Sequence, residues 1–216
     1  AALAVIGWLF LIAWRGDGSF QRLWHKSYNV VQVFLSGLTV AALGSGFVVS
    51  WASYSSDNSS YGVVLQRFDA SGVAQGSEFR VNASTTGNQT SAAVGMASDG
   101  SFVVVFTDYN SNSGDIFVQR YNASGGAVGG NVRVNTLTTN VQEYASVAVS
   151  PGGAFVVVWE SEAQDGTLDG VYAQRYDAAG TAQGGELRLN PTIGGAEQNV
   201  AVAIDTAGNS VVVWDA

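Results

Sequence analysis

The chain contains no cysteine and only one histidine, His25, among its 216 residues. Without cysteine, no disulfide can hold the fold and no thiol chemistry is available. The Gly-x-Ser-x-Gly turn that presents a nucleophilic serine is missing, and so are the glycine-rich loops that bind phosphate. Paired carboxylates could still serve a glycosidase, but nothing in the sequence marks one pair out. We therefore predict no catalytic residues, no cofactor-binding residues and no enzyme.

Positive charge is also scarce, with nine Lys and Arg against 17 Asp and Glu and a formal net charge of −8. Most of the basic residues recur at two positions of an internal repeat: Arg22, Arg67, Arg120 and Arg175 at one, and Arg80, Arg133 and Arg188 at the other. The repeat therefore spreads positive charge along the chain. Nucleic acids and anionic membranes are bound by clustered Lys and Arg, so we predict no nucleic-acid partner and consider an anionic membrane surface disfavoured.

The internal repeat is built on residues 155–159, Phe-Val-Val-Val-Trp. Copies begin at residues 10, 47, 102, 155 and 210, which gives spacings of 37, 55, 53 and 55 residues. A period of this size indicates supersecondary units that stack on one another to bury their apolar faces. We predict one repeat domain over residues 1–216, with a degenerate repeat at 1–46, repeats at 47–101, 102–154 and 155–209, and the start of a further blade at 210–216.

Each repeat has four apolar segments separated by turn residues, which in the copy that begins at Phe155 are residues 155–159, 170–176, 186–190 and 199–204. The first segment is apolar on both faces, as in a strand that is buried on both sides. The second and third alternate between apolar and polar residues. Two prolines against 27 glycines fit many tight turns. The pattern predicts an all-β, β-propeller-like array of four-stranded antiparallel blades, with the Phe-Val-Val-Val-Trp strand innermost.

The motifs also resemble a family. Phe-Val-Val-Val-Trp, an Asp-, Gly- and Ser-rich loop, Gly-Val-Tyr-Ala-Gln-Arg-Tyr-Asp-Ala-Ala-Gly, Glu-Leu-Arg-Leu-Asn and a following Gln are similar to repeats of large secreted or cell-surface bacterial proteins, often found beside calcium-binding RTX-type and cadherin-like modules. The likeness covers residues 39–214 well and 1–37 poorly. It implies an extracellular, cell-surface or periplasmic location in a bacterium and a scaffold role, and it implies no catalytic residues.

The two ends of the chain leave alternatives open. Residues 1–14 are apolar, but a membrane-spanning helix needs about 20 such residues. Residues 3–14 also align with 40–51 without a gap, so we interpret them as two strands of a degraded repeat, with a truncated membrane anchor as the alternative. The chain stops at Ala216, just after a copy of the innermost strand. We therefore expect a longer chain or another subunit to complete the last sheet.

Two polar features are candidates for binding. The recurring Gln-Arg pair needs an acceptor for its arginine; Asp69, Asn122, Asp177, Glu78 and Glu186 are the candidates, and we expect the pair to brace neighbouring blades. The loop after the Phe-Val-Val-Val-Trp strand is a place for a binding site on a rigid scaffold. In one repeat it offers oxygen ligands at alternate positions, which suit calcium: Asp108, Asn110, Asn112 and Asp115. It lacks the terminal Glu of an EF-hand loop, and the equivalent loops carry Asp57 and Asn58, or Glu160, Glu162, Asp165 and Asp169.

The repeat, the acidic balance and the missing catalytic motifs lead to one main functional hypothesis. We expect a non-enzymatic extracellular scaffold that presents loops to a protein or glycan partner, with calcium stiffening those loops. Two alternatives remain: an accessory subunit of a membrane complex anchored through residues 1–14, and a carbohydrate-active enzyme. A glycan-hydrolysis panel separates the enzyme from the other two.

Overall fold

A computed structural model describes residues 12–14, 20–22, 38–43, 46–54, 60–109, 113–164, 166, 168–190 and 197–215. These residues form sixteen strands and no helix. In chain order the strands are β1 (Ile12–Trp14), β2 (Phe20–Arg22), β3 (Leu38–Leu43), β4 (Gly46–Tyr54), β5 (Tyr61–Asp69), β6 (Phe79–Arg80), β7 (Asn88–Met96), β8 (Phe102–Tyr109), β9 (Asp115–Tyr121), β10 (Ala127–Arg133), β11 (Gln142–Val149), β12 (Phe155–Glu162), β13 (Asp169–Tyr176), β14 (Leu187–Arg188), β15 (Gln198–Ile204) and β16 (Ser210–Asp215).

Three antiparallel sheets have four strands each, in the order in which the chain supplies them: β3–β6, β7–β10 and β11–β14. Two smaller sheets pair β15 with β16 and β1 with β2. The first strands of successive sheets contact one another, β3 with β7, β7 with β11, and β11 with β15. Sheets that meet along their first strands and step round in sequence form a propeller-like array. The predicted fold class is confirmed.

The position of the apolar segment within each sheet differs from the prediction. The Phe-Val-Val-Val-Trp segments are β4, β8, β12 and β16, and each is the second strand of its sheet. The innermost strands are β3, β7, β11 and β15, which precede them in the chain. The prediction that Phe-Val-Val-Val-Trp is innermost is therefore wrong, and the sheets begin one strand before the repeat boundaries drawn at residues 47, 102 and 155.

The second strand β8 is apolar on both faces because both of its faces lie at seams between sheets. Val103 and Val105 of β8 pack with Val147 and Val157 of the third sheet. Their neighbours Phe102, Val104 and Phe106 point the other way and pack with Val63 and Leu65 of the first sheet. Successive residues of a strand point to opposite faces, so a continuous apolar run fills two seams. Complete burial of each such side chain is worth about 1.5–3 kcal/mol.

Arginine braces the seams, as predicted, but its acceptors differ from those expected. The guanidinium of Arg67 on β5 donates to the main-chain carbonyls of Ala123 (2.8 Å) and Ser124 (2.6 Å) in the turn of the next sheet. The carboxylate of Asp69 is engaged in its own turn, where it accepts from the main-chain N–H groups of Ser71 and Val73. Carboxylates were the wrong acceptors at Arg67, because the turn carbonyls of the neighbouring sheet lie closer.

A second set of braces runs in the opposite direction along the chain. Asn131 accepts from the main-chain N–H of Ala83 at 2.6 Å, across the seam between the first two sheets. Glu186 stands in the same repeat position one sheet later and accepts from the main-chain N–H of Thr136 at 2.9 Å. Each segment that links two sheets is thus fixed by a polar side chain of the following sheet. These links hold the sheets in place around the ends of the inner strands.

At the two ends of the chain only part of the prediction can be compared with the structure. Ile12–Trp14 form a strand opposite Phe20–Arg22, with Ala13 facing Gln21. This agrees with strands of a degraded repeat at those positions, whereas residues 1–11 lie outside the described part. No helix in the described ranges is long and apolar enough to cross a membrane. Among the described strands, β16 pairs only with β15, and completion of that sheet by further chain or another subunit stays a prediction.

Candidate active site

Three inner strands share a bulge close to the point where each begins. The register shifts between Thr90 and Ala93 in β7, between Glu143 and Ser146 in β11, and between Gln198 and Ala201 in β15. Each bulge holds one non-glycine residue with a positive φ: Ser91 at 52°, Tyr144 at 53° and Asn199 at 58°. An extra residue bends the strand and redirects the neighbouring side chains. The bulges therefore turn residues 91–92, 144–145 and 199–200 away from the regular ladder.

A buried amide network fixes the start of the bulged strands. Gln89 and Gln142 are fully buried, and each accepts a hydrogen bond from the Asn that lies two residues after the preceding outer strand. The bond from Asn82 to Gln89 measures 2.8 Å, and the bond from Asn135 to Gln142 measures 3.1 Å. In the segment that links the third sheet to β15, the residue equivalent to Gln89 and Gln142 is Glu197, which is also buried. These side chains hold the strand ends rigidly, as a preorganised site requires.

Carboxyl groups gather at the bulge of the third sheet. Glu143 on β11 lies directly opposite Glu160 on β12. Directly paired residues of antiparallel strands have Cβ atoms about 4.5–5.5 Å apart and lie on one face of the sheet. Asp169 starts the next strand, β13. The inner strand β11 and the hairpin formed by β12 and β13 thus bring three acidic residues to one end of the sheet.

The two glutamates have different partners. Glu160 is only 5% exposed, and its Oε1 accepts the main-chain N–H of Asn199 at 2.7 Å, so it bridges to the bulge of the fourth sheet. Glu143 is half-buried and accepts a hydrogen bond from the phenol of Tyr109, which comes from the second sheet. Residues of three sheets therefore converge on this one glutamate pair.

The electrostatic environment separates the two glutamates further. Burial raises the pKa of Glu160 to about 7, and the charges of Asp169 and Glu143 raise it in the same direction, against the hydrogen bonds from the main chain of Asn199 and Val200. The nearby Tyr144 has a raised pKa, caused first by the charge of Glu143. Burial, helped by the hydrogen bond to Glu143, raises the pKa of Tyr109. Near neutral pH, Glu160 can thus hold a proton and release it.

This arrangement has the parts of a general acid–base pair. An acid that works near neutral pH needs a pKa close to 7, which burial and like charges can produce for a glutamate. A second carboxylate that stays ionised nearby can take up a proton or face a developing positive charge. Two carboxyl groups, one acting as a general acid and the other as a base, are the usual residues for glycosidic-bond hydrolysis.

Two of the four residues predicted to hold calcium, Asp108 and Asp115, lie at the corresponding end of the second sheet. Asp108 and Asp115 are directly opposite each other on β8 and β9, whereas Asn110 and Asn112 lie outside the described residues. Asp108 accepts from Gln89 at 2.8 Å and Asp115 from Asn135 at 2.6 Å. Burial raises the pKa of Asp108. Within the described ranges, no group of three metal-ligating side chains occurs. Calcium at this loop stays a prediction.

Sequence reasoning did not single out the glutamate pair. It grouped Glu160 and Asp169 with a polar loop, and it passed over Glu143 and Tyr144. The signal that could have found them is a departure from the repeat: Glu160 stands where the other sheets have Ala52, Thr107 and Asp215, and Glu143 stands where they have Thr90 and Gln198. At Glu143 a charged residue replaces the neutral residues of the other sheets, which suggests a task particular to the third sheet, whereas the position of Glu160 is also acidic in the fourth sheet, at Asp215.

Comparison with known proteins gives structural matches only. No family model and no curated protein sequence matches the chain. The endo-arabinase from Bacteroides thetaiotaomicron aligns with 91% of the chain at 13% identity and a TM-score of 0.54, over 75% of the enzyme. An alpha-L-arabinanase from Penicillium chrysogenum, solved with arabinobiose, aligns with 79% at 18% identity and a TM-score of 0.49. A thermostable family-43 glycoside hydrolase aligns with 79% at 13% identity and a TM-score of 0.46.

The first of these matches shows that the chain shares its fold with an endo-arabinase. The chain spans 62% of the family-43 hydrolase and 54% of the arabinanase, which is less than two thirds of either protein. The expectation of a non-enzymatic scaffold, and with it the prediction of no enzyme, is overturned by the fold shared with the endo-arabinase. The prediction missed the carboxyl groups of Glu143 and Glu160 because they come from separate strands and form no local sequence motif. The resemblance to secreted bacterial repeats and the extracellular location stay predictions.

Proposed function

We propose that the chain is a carbohydrate-active enzyme that hydrolyses glycosidic bonds, with Glu143 and Glu160 as its catalytic pair. The observation that carries the proposal is that Glu160, which is buried and has a pKa of about 7, lies directly opposite Glu143 on the paired strand. The fold shared with an endo-arabinase supports it, because that protein acts on arabinan on a similar framework. An extracellular or periplasmic location, where polymeric glycans occur, is part of the same proposal.

Glu160 acts as the general acid in this scheme. In its protonated form it donates its proton to the glycosidic oxygen as the bond from that oxygen to the anomeric carbon breaks. The leaving sugar thus departs as a neutral hydroxyl. Asp169 contributes by its charge, which helps to keep the proton on Glu160 near neutral pH.

Glu143 acts as the general base. It accepts the hydrogen bond that the Tyr109 phenol donates, which fixes the position of its carboxyl group. A water molecule attacks the anomeric carbon, and Glu143 accepts the proton that this water loses. Protons therefore balance over the reaction, because one leaves Glu160 and one arrives at Glu143. Exchange with solvent then restores both groups.

Hydrolysis of neutral polysaccharides tests the proposal. The full chain is incubated with linear arabinan and xylan, and new reducing ends are measured; we expect release by the parent protein. Glu160→Gln and Glu143→Gln should each lower kcat by at least about 100-fold, because a general acid or base contributes 10²–10⁴-fold. Glu162→Gln, an exposed glutamate on the same strand, is the matched control and should keep parental activity.

Two results would overturn this function. One is no release of reducing ends by the parent protein from any neutral glycan in the panel. The other is a Glu160→Gln variant that is folded and as active as Glu162→Gln, which would leave Glu160 with only its structural bond to the Asn199 main chain. Circular dichroism on each variant verifies that the β-sheets are intact.

A further inference from the structure

Tyr144 has an unusual backbone for its residue type. It lies in the innermost strand β11 with φ at 53°, in the left-handed region that bulky residues seldom occupy. The equivalent residues of the neighbouring inner strands are Ser91 and Asn199, both small and polar. Asn tolerates this conformation better than Tyr because its short side chain can hydrogen-bond locally. The chain therefore retains a large aromatic residue at a position where the same bulge is formed elsewhere by small ones.

Packing does not account for the aromatic ring. Tyr144 is 54% exposed, whereas Gln142 and Ala145 of the same strand are buried. The aromatic pairs among the described residues join rings of the first, second and third sheets, and none of these pairs includes Tyr144. A strained residue whose side chain adds little to the core is a sign of function.

The surroundings of Tyr144 are those of the glutamate pair. Its phenol lies near enough to Glu143, Glu160 and Asp169 for their charges to act on it, with Glu143 first. Tyr144 also follows Glu143 directly in the chain, and Glu143 is paired with Glu160. The exposed ring therefore lies beside the glutamate pair.

We propose that Tyr144 is the specificity-determining residue of this site and stacks against the ring of a neutral sugar held between Glu143 and Glu160. This inference rests on the proposed function. A tyrosine ring offers a flat apolar face to the C–H face of a sugar and a hydroxyl to its polar edge. The bulge redirects the side chain out of the sheet, so the strained backbone sets the angle at which the ring meets the substrate. A neutral sugar fits because the carboxyl groups of Glu143 and Asp169 repel an anionic one.

The test replaces the ring while easing the backbone. Tyr144→Asn should keep or raise the melting temperature, because Asn accepts a positive φ more readily. The same variant should raise KM for arabino-oligosaccharides about 5- to 10-fold and leave kcat within about 3-fold, which is the range expected when one aromatic contact is lost. Tyr144→Phe keeps the ring and should keep the parental KM within about 2-fold. Ser91→Asn, at the same bulge of the neighbouring sheet, is the control and should change neither constant.

The outcomes separate this inference from the proposed function. If the parent chain is active and Tyr144→Asn has an unchanged KM, the role of Tyr144 is wrong while the enzyme stands. If Tyr144→Asn loses stability, the ring has a structural role and the inference also fails. If the parent chain hydrolyses nothing, the enzyme is wrong, and calorimetric titration with arabino-oligosaccharides decides on Tyr144 alone: binding that weakens in Tyr144→Asn and survives in Tyr144→Phe supports it, and absence of binding by the parent overturns it.

Discussion

Glu160 couples the stability of the protein to pH. Its pKa rises from an ordinary value of 4.5 to about 7 in the folded chain, chiefly because of burial. At a pH between these two values the unfolded chain releases the proton and the folded chain keeps it. The free energy of unfolding therefore falls as pH rises through this window, by about 3 kcal/mol in total, and levels off above pH 7.

Substitution of Glu160 by Gln tests this coupling. Gln keeps an oxygen for the main-chain N–H of Asn199 and carries no titrating group. We expect urea unfolding at pH 4.5, 6, 7.5 and 8.5 to show a smaller loss of stability with rising pH in Glu160→Gln than in the parent. Equal slopes in the two proteins would contradict a raised pKa at this residue. For the proposed hydrolysis, kcat of the parent protein should fall over the same range, because the acid loses its proton.

At the same scale, the candidate site shows what a single sequence can and cannot predict. The carboxyl groups of Glu160 and Asp169 were visible as acidic residues near a loop, but their proximity to Glu143 depends on strand pairing and on the bulge in β11. A bulge leaves no signature in the residue pattern here, since its three copies contain Ser91, Tyr144 and Asn199. The raised pKa depends on burial, which appears only when the sheets are assembled.

Among the structural elements, the turn between the third and fourth strands of the second sheet carries a contact between sheets. Gly125 has φ at +86°, and a Cβ at this position would lie 2.8 Å from Cδ of Arg67 in the preceding sheet. Gly208 closes a turn of the same hydrogen-bonding pattern with φ at +88°, and a Cβ there would meet no described atom within 4 Å. The two glycines thus differ in their neighbours and not in their backbone.

Alanine at the two glycines separates backbone strain from contact between sheets. Gly208→Ala should cost about 1–2 kcal/mol, the price of a left-handed alanine. Gly125→Ala should cost about 1–2 kcal/mol more, because its methyl group displaces the guanidinium that donates to Ala123 and Ser124. Chemical unfolding of both variants measures the difference. That difference should vanish when Arg67→Ala is added to each; a difference that persists would show that the arginine contact is not its source.

The order of the strands shows where the repeat pattern misled the prediction. The second strand is the most apolar because both of its faces lie in seams, as Val104 and Val105 illustrate. The innermost strand carries polar residues such as Gln89 and Gln142, which are buried but satisfied by Asn82 and Asn135. Hydrophobicity therefore ranks the strands by the number of packed faces and not by distance from the centre. The number of strands per sheet and their antiparallel order follow from the segments and turns alone.

At the scale of the whole molecule, charge sets the kind of glycan that the protein can approach. The chain carries a formal net charge of −8, and its positive residues are spread by the repeat. The proposed site adds the carboxyl groups of Glu143, Glu160 and Asp169 at one end of the third sheet. A uronic-acid polymer would meet repulsion both from the overall field and from these groups, whereas arabinan carries no charge.

This difference leads to a prediction about salt. We expect kcat/KM for neutral arabinan to change by less than about 2-fold between 20 and 500 mM NaCl, because no long-range force acts on it. Binding of polygalacturonate is measured as competitive inhibition and should be undetectable at low salt. It should strengthen as added salt shortens the screening length to about 3–10 Å and so weakens the repulsion. Inhibition that is strongest at low salt would mean that basic residues gather at the site after all. Such a result would contradict the distribution of arginines along the repeat, from which the exclusion of anionic partners was derived.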